Sequence, residues 1–150
     1  MTDILIRPAV EGDIERLVEW GAAMAWETER KRLDIATVTH GVRAGIIDPG
    51  KARYFIAERD NQPAGTLMLT FEWSDWRNRM VWWIQSVYVS PDARQHGVFR
   101  ALYAHVRDAA RAEGAGGLRL YVDTTNVRAQ QVYAALGMNG DHYRVFEDMF

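Results

Sequence analysis

Val87-Tyr88-Val89-Ser90-Pro91-Asp92-Ala93-Arg94-Gln95-His96-Gly97-Val98-Phe99-Arg100-Ala101-Leu102 is the stretch on which the reading of this chain turns. A β-branched and aromatic run stops at Ser90-Pro91, a loop follows, and a helix starts at a glycine flanked by basic residues. The first turn of a helix carries backbone N–H groups with no intrahelical acceptor and a partial positive charge, which together seat phosphate. Gly97 removes the Cβ that would hold a ligand away from that backbone. Arg94 and Arg100 are placed to add charge-assisted bonds to the same anion. Taken alone, the stretch is equally a plain loop-to-helix junction with solvated arginines, so its surroundings decide.

Upstream, Ile4–Pro8 is a short β-like run ended by proline. Ile14, Leu17, Val18, Gly21 and Ala22 recur at helical spacing and predict a helix over about residues 12–26. A second, shorter helix runs from Ala36 to Ile47 and closes at Asp48-Pro49-Gly50. The period then changes: Arg53–Glu58, Gly65–Phe71 and Val81–Val89 read as three strands of a meander, with turns at Asp60-Asn61-Gln62 and Asp75–Asn78. Downstream, Val98, Leu102, Val106 and Ala109 mark a helix from Gly97 to Glu113, with Gly114 as its C-cap. Leu118–Val122 reads as a strand, Asn126 as the cap of a helix to Leu136, and Tyr143–Phe146 as a last strand. The expected fold is α+β: a mixed, mostly antiparallel sheet flanked by helices, with one parallel strand–helix–strand crossover from 81 to 122.

Composition bounds what such a domain does. At 150 residues with no repeat, low-complexity tract or linker, the chain is expected to be a single domain over 1–150. The absence of cysteine excludes a disulfide framework, a thiolate zinc site and a cysteine nucleophile. His40, His96, His105 and His142 show no metal-ligand spacing, so no metal is expected. No apolar run approaches the roughly 20 residues of a membrane span, and MTDILIRPAV lacks signal-peptide character. A cytoplasmic location away from membranes is the expectation. Net charge −2 and a pI near 6.1 give no pull toward nucleic acid. A nucleic-acid or ribosome-associated protein using its arginines is the weaker reading, because basic-aromatic stripes are missing.

The quoted stretch resembles the acyl-CoA-binding signature of the Gcn5-related N-acetyltransferase (GNAT) superfamily. That signature is a strand ending in Val-x-Pro, then Arg/Gln-x-x-Gly-x-Gly/Ala opening a helix. Arg94, Gly97 and Phe99 fall on its three named positions, and Val89 and Pro91 on its lead-in. A second landmark is also similar: Asn126-Val127-Arg128-Ala129-Gln130-Gln131-Val132-Tyr133, followed by Leu136-Gly137-Met138, matches Asn-x-x-Ala-x-x-x-Tyr before a Leu-Gly-Phe-like ending. Phe99 departs from the usual glycine or alanine, and a helix is expected to direct its ring inward.

The resemblance implies direct acetyl transfer from acetyl-CoA to a primary amine, with no covalent enzyme intermediate. It implies that the loop from Gln95 through His96, Gly97, Val98 and Phe99 to Arg100 binds pyrophosphate, with Arg94 beside it. Backbone groups of Val87 and Val89 would pair with pantetheine, while a nearby amide polarises the thioester carbonyl. Asn126 would touch the cofactor chain, and Tyr133 would protonate the departing thiolate. From the residues alone, Asn126 is equally a helix cap, and Tyr133 equally a core residue beside Ala129, Val132 and Leu136. Relatives often carry a glutamate near Gln85, and glutamine accepts no proton. Glu72 and Glu27 are the remaining carboxylate candidates for a base, alongside a water relay. On the acceptor side, Glu27, Trp73, Asp75 and Gln85 are the candidates for a small-molecule or peptide amine, because aromatic faces with carboxylates hold cations. The same tryptophans equally fill a core or a homodimer interface. The alternative function is a non-catalytic module of this fold that binds CoA.

Overall fold

The change of period at Arg53 becomes a β-meander in the computed structural model, which describes residues 3–150. The elements are β1 (Ile4–Pro8), α1 (Ile14–Glu29), α2 (Ile35–Ile47), β2 (Arg53–Arg59), β3 (Gln62–Ser74), β4 (Arg79–Val89), α3 (Val98–Ala112), β5 (Leu118–Arg119) and α4 (Val127–Ala135). The sheet order is β1-β2-β3-β4-β5, antiparallel throughout except for the parallel pair β4–β5. Asp60 and Asn61 join β2 to β3 in left-handed conformation (φ 54° and 61°), the backbone that a two-residue hairpin of correct twist requires. The chain divides into two compact units, one reaching Arg119 and one formed by Leu120–Phe150.

In the first unit the two sheet faces are read from neighbouring residues of β2, whose side chains alternate. Ile56 joins Ile14, Leu17, Val18, Trp20, Val42 and Tyr88 in the cluster under α1 and α2. Phe55 meets His105 of α3 on the other face, edge to face at 5.3 Å. There Val98, Leu102 and Val106 are almost fully buried. Gly65 in β3 permits this packing, because a Cβ on it would stand 2.8 Å from the Tyr88 carbonyl and 3.0 Å from Val98 Cγ1. The tryptophans divide between both readings. Trp20 and Trp82 lie in the core, whereas Trp26, Trp73 and Trp76 are exposed.

Two strands differ from expectation. The parallel register comprises only Trp82↔Leu118 and Trp83↔Arg119, so β5 is shorter than Leu118–Val122. The reason lies in β4, whose pairing with β3 passes from Leu69↔Ile84 to Met68↔Ser86 and leaves Gln85 as an extra residue. Such a bulge bends the strand and interrupts its ladder. The strand expected at Tyr143–Phe146 does not form, and Tyr143, Val145 and Phe146 are exposed. β propensity alone does not make a strand where no ladder forms.

Within Leu120–Phe150, Asn126 caps α4 as read from the sequence, its Oδ1 accepting from the Ala129 N–H at 3.1 Å. Gly137 ends that helix with φ 90°, and the Met138 N–H donates to the Tyr133 carbonyl at 3.1 Å. No helix among the described residues is long and apolar enough to cross a membrane.

Candidate active site

Beyond the Gln85 bulge, β4 has an edge that β5 does not cover. The Ser90 N–H donates to the Ala64 carbonyl at 2.9 Å, making Ala64 and Ser90 a hydrogen-bonded pair. Antiparallel pairs alternate, so Val89 and Val87, opposite Gly65 and Leu67, direct their N–H and C=O groups away from β3. At the other end of the strand the same side is taken, with the Trp82 N–H donating to the Gly117 carbonyl at 3.0 Å. An extended ligand with amide groups adds to an open edge of this kind as a strand would.

The loop after β4 has an anion-seating backbone. Pro91–Ala93 form one 3-10 turn, Arg94 is extended, and Gln95 is left-handed at φ 66°. Gly97 is left-handed too, at φ 81°, and a Cβ built on it would meet nothing within 4 Å. The first intrahelical bond of α3 runs from the Ala101 N–H to the Gly97 carbonyl at 3.0 Å. The amides of the preceding turn therefore have no acceptor within the helix. Gln95 is a non-glycine residue in a conformation that costs on the order of 1 kcal/mol or more, a cost invisible in composition. His96 and Arg100 are exposed, and Val98 is core. The half-buried Phe99 ring lies against Tyr103 one turn later, at 6.1 Å between centroids. An i,i+4 pair of this kind runs along the helix. This geometry accommodates a diphosphate at the loop and an extended amide arm along β4, the two parts of acyl-CoA that the sequence pattern calls for.

The side chains sort into separate groups. Glu27 at the end of α1 joins Arg94 and Tyr88: Arg94 Nη2 donates to Glu27 Oε1 at 2.7 Å, and the Tyr88 hydroxyl donates to Glu27 Oε2 at 2.5 Å. Arg94 Nε also donates to the Val89 carbonyl at 2.9 Å, and its guanidinium stands 5.4 Å from the Tyr88 ring centroid. The Tyr88 bond and then Arg94 hold the Glu27 carboxyl below its usual range. Burial, reinforced by Glu27, pushes the Tyr88 phenol up to about 12.

Glu72 of β3 forms a second group. Its Oε1 accepts from Trp83 Nε1 at 3.0 Å and from Arg119 Nη1 at 2.6 Å. The indole bond first and Arg119 next keep this carboxyl below the ordinary value, which lowers its strength as a base. Gln85, the bulge residue, accepts from the Thr70 hydroxyl at 3.3 Å. Trp73 and Asp75 belong to the β3–β4 hairpin, at the opposite end of β4 from the loop. There Trp73 pairs with Met80, and Asp75 Oδ1 accepts from the Trp76 N–H at 2.9 Å as part of the turn. An eleven-residue strand separates that hairpin from the loop, a distance of roughly 35 Å at 3.3 Å per residue. In the second unit, Tyr133 is half-buried, and burial pushes its phenol pKa up, which keeps the hydroxyl protonated at neutral pH.

Sequence reasoning did not single out Tyr88 or Arg119, and read Trp83 only as part of an aromatic face. Tyr88 reads as an ordinary strand residue, and Arg119 is far from Glu72 in the chain. Only the sheet register brings them to their carboxylates.

Comparison with known proteins agrees with this fold. The model of the Acetyltransferase (GNAT) family matches residues 13–138. A possible acetyltransferase from Clostridium difficile 630 has the same fold with a TM-score of 0.91 and 35% identity, over 98% of this chain and 97% of that one. The thialysine N-epsilon-acetyltransferase of Bos taurus is 27% identical over 146 residues, 91% of this chain and 85% of the bovine one. The aminoglycoside N-acetyltransferase AAC(6')-Iy, solved in complex with CoA, superposes with a TM-score of 0.80 at 18% identity, over 99% of this chain and 96% of that one. By its sequence pattern, its sheet and these matches, the chain belongs to the GNAT acetyltransferase family.

Proposed function

We propose that the chain acts as one acetyltransferase domain over 1–150, transferring acetyl from acetyl-CoA to the primary amine of a small, cationic acceptor. The observation that carries this reading is the conjunction in one segment of an open strand edge at Val87 and Val89 with a left-handed Gly97 opening α3. Gln95 to Arg100 supply amides to the diphosphate, and Val87 and Val89 pair with pantetheine. The neutral amine attacks the thioester carbon, a C–N bond forms and the C–S bond breaks. The thiolate takes the Tyr133 proton, the amine's surplus proton passes to water, and water later returns one to Tyr133. Burial raises the Tyr133 pKa and makes the phenol a weaker acid, so the donation depends on its alignment with the departing thiolate. Asn126, at the start of the same helix, would contact the cofactor chain while capping.

The acceptor class is supported by chemistry and by kinship. Glu72, half-exposed beside Trp83 and Arg119, is the carboxylate proposed to meet an ammonium. Deprotonation of the amine then runs through water more readily than onto this weakened base. The name of the bovine relative specifies N-epsilon acetylation of thialysine, an amine acceptor. Gln85, Trp73 and Asp75 are the further candidates for the acceptor side, Glu27 being held by Arg94 and Tyr88.

Titration of the protein with acetyl-CoA in a calorimeter tests the reading, followed by thiol release with a panel of amines that includes thialysine. One-site saturable binding with amine-dependent thiol release is the expected result. Binding without release favours a CoA-holding module, and no binding at millimolar acetyl-CoA overturns both. Tyr133→Phe is expected to lower kcat about 10- to 100-fold while acetyl-CoA affinity stays within about twofold. Unchanged kcat at saturation returns Tyr133 to a packing role.

A further inference from the structure

Arg94 stands at the position of the family pattern from which a cation is expected to reach the diphosphate, yet its side chain is already engaged in three ways. Its Nε donates to the Val89 carbonyl at 2.9 Å, its Nη2 donates to Glu27 at 2.7 Å, and its plane lies near the Tyr88 ring. Tyr88 is buried, and its hydroxyl holds the other oxygen of Glu27 at 2.5 Å. The carbonyl that Arg94 occupies belongs to the open edge, because the Ser90–Ala64 bond sets the pairing so that Val89 faces away from β3. Of the four polar backbone groups at Val87 and Val89, the Val89 carbonyl is thus capped by the protein's own side chain.

From this we propose that Arg94 is a strut of the acyl-CoA site and not a ligand of its phosphates, with Glu27 and Tyr88 as the positioning residues that hold it. The inference rests on the reading of the open edge as the pantetheine site. By closing the Val89 carbonyl, the strut determines where along β4 the amide arm starts to pair. The thioester is thereby set against the region of the Gln85 bulge. A guanidinium suits the task because its planar fork bonds a carbonyl and a carboxylate together, which an ammonium at the end of a flexible stem does poorly.

The test compares two probes on the unaltered protein and four variants. Acetyl-CoA reports the diphosphate seat and the amide arm together, and ADP reports the diphosphate seat alone. Arg94→Gln and Glu27→Gln are each expected to weaken acetyl-CoA about tenfold, and the double variant by no more than either, because both remove one unit. ADP affinity is expected to stay within about twofold in all three, a pattern that general loosening of the fold does not produce. Arg94→Lys keeps the charge and guards against a misfolded glutamine variant; it should match Arg94→Gln if Arg94 is a strut. Loss of ADP binding in Arg94→Gln with full retention in Arg94→Lys overturns the proposal, as do additive effects of the two single variants. Failure of the unaltered protein to bind acetyl-CoA overturns the proposed function itself, which distinguishes the two failures.

Discussion

Strand β4 begins in a closed environment and ends in an open one. At its start, Met80 and Arg79 pair with Trp73 and Ser74, and Trp82 has Leu118 on its other side. At its end, Val87 and Val89 face an uncovered edge, and the chain leaves through a left-handed glutamine and a left-handed glycine. The closed end displays the more conspicuous residues, including Trp76 at 93% exposure. The open end displays backbone. Backbone amides at an edge and a helix start are fixed dipoles that need no side-chain ordering to meet a ligand. Conspicuous aromatics at a hairpin tip are therefore poorer guides to this site than two backbone angles and a register.

The sharpest way to break this contrast is at Gly97. Gly97→Glu is expected to weaken acetyl-CoA binding at least about a hundredfold, through a strained left-handed backbone and a carboxylate set against phosphate. Normal calorimetric affinity in a folded variant would move the site away from the open end. Gly65→Ala tests the packing beneath it. The added methyl meets the Tyr88 carbonyl at 2.8 Å and Val98 at 3.0 Å, and overpacking of this kind costs about 1–3 kcal/mol. Denaturant unfolding should show that loss together with weaker acetyl-CoA binding, since β4 and α3 part where the loop is anchored.

Glu72 gives a smaller effect with a defined sign. Its folded pKa is depressed below the ordinary 4.5, so its stabilising contribution is full above that value and is lost as pH falls through the lower folded one. It stays ionised from pH 5 to 9, and Glu72→Gln should leave the acid limb of the kcat profile in place. A half-exposed ion pair contributes about 0–1 kcal/mol, which bounds the change in stability. Disappearance of the acid limb in Glu72→Gln would instead make Glu72 the base. Smallest of all, Trp76→Ala should change stability by no more than about 0.5 kcal/mol and leave acetyl-CoA affinity unaltered. A shift in that affinity would join the two ends of β4 functionally.

Much of this was legible before any coordinates. Helical spacing located α1 and α3 to within a few residues, because a buried stripe leaves a 3.6-residue period in the chain. Asn126 and Gly137 were legible as the ends of α4 because caps are local chemistry. The motif around Gly97 was legible as a family signature for the same reason, since it is built from consecutive residues. Tyr143–Phe146 misled because β propensity describes a side chain's fit to a pleated surface, and the ladder must come from elsewhere.

What the sequence by itself determined, then, is the family and the order of elements as far as α4, both of which depend on neighbours along the chain. Tertiary structure alone decided that β5 stops at Arg119, that Gln85 is a bulge, and that the β4 edge stays open at Val87 and Val89. It alone decided that Arg94 is spent on Glu27 and Val89, and that Glu72 is spent on Trp83 and Arg119. Glu27 lies 67 residues from Arg94, and Glu72 lies 47 from Arg119. Pairings over such separations arise from sheet register and helix packing, and no local propensity encodes them.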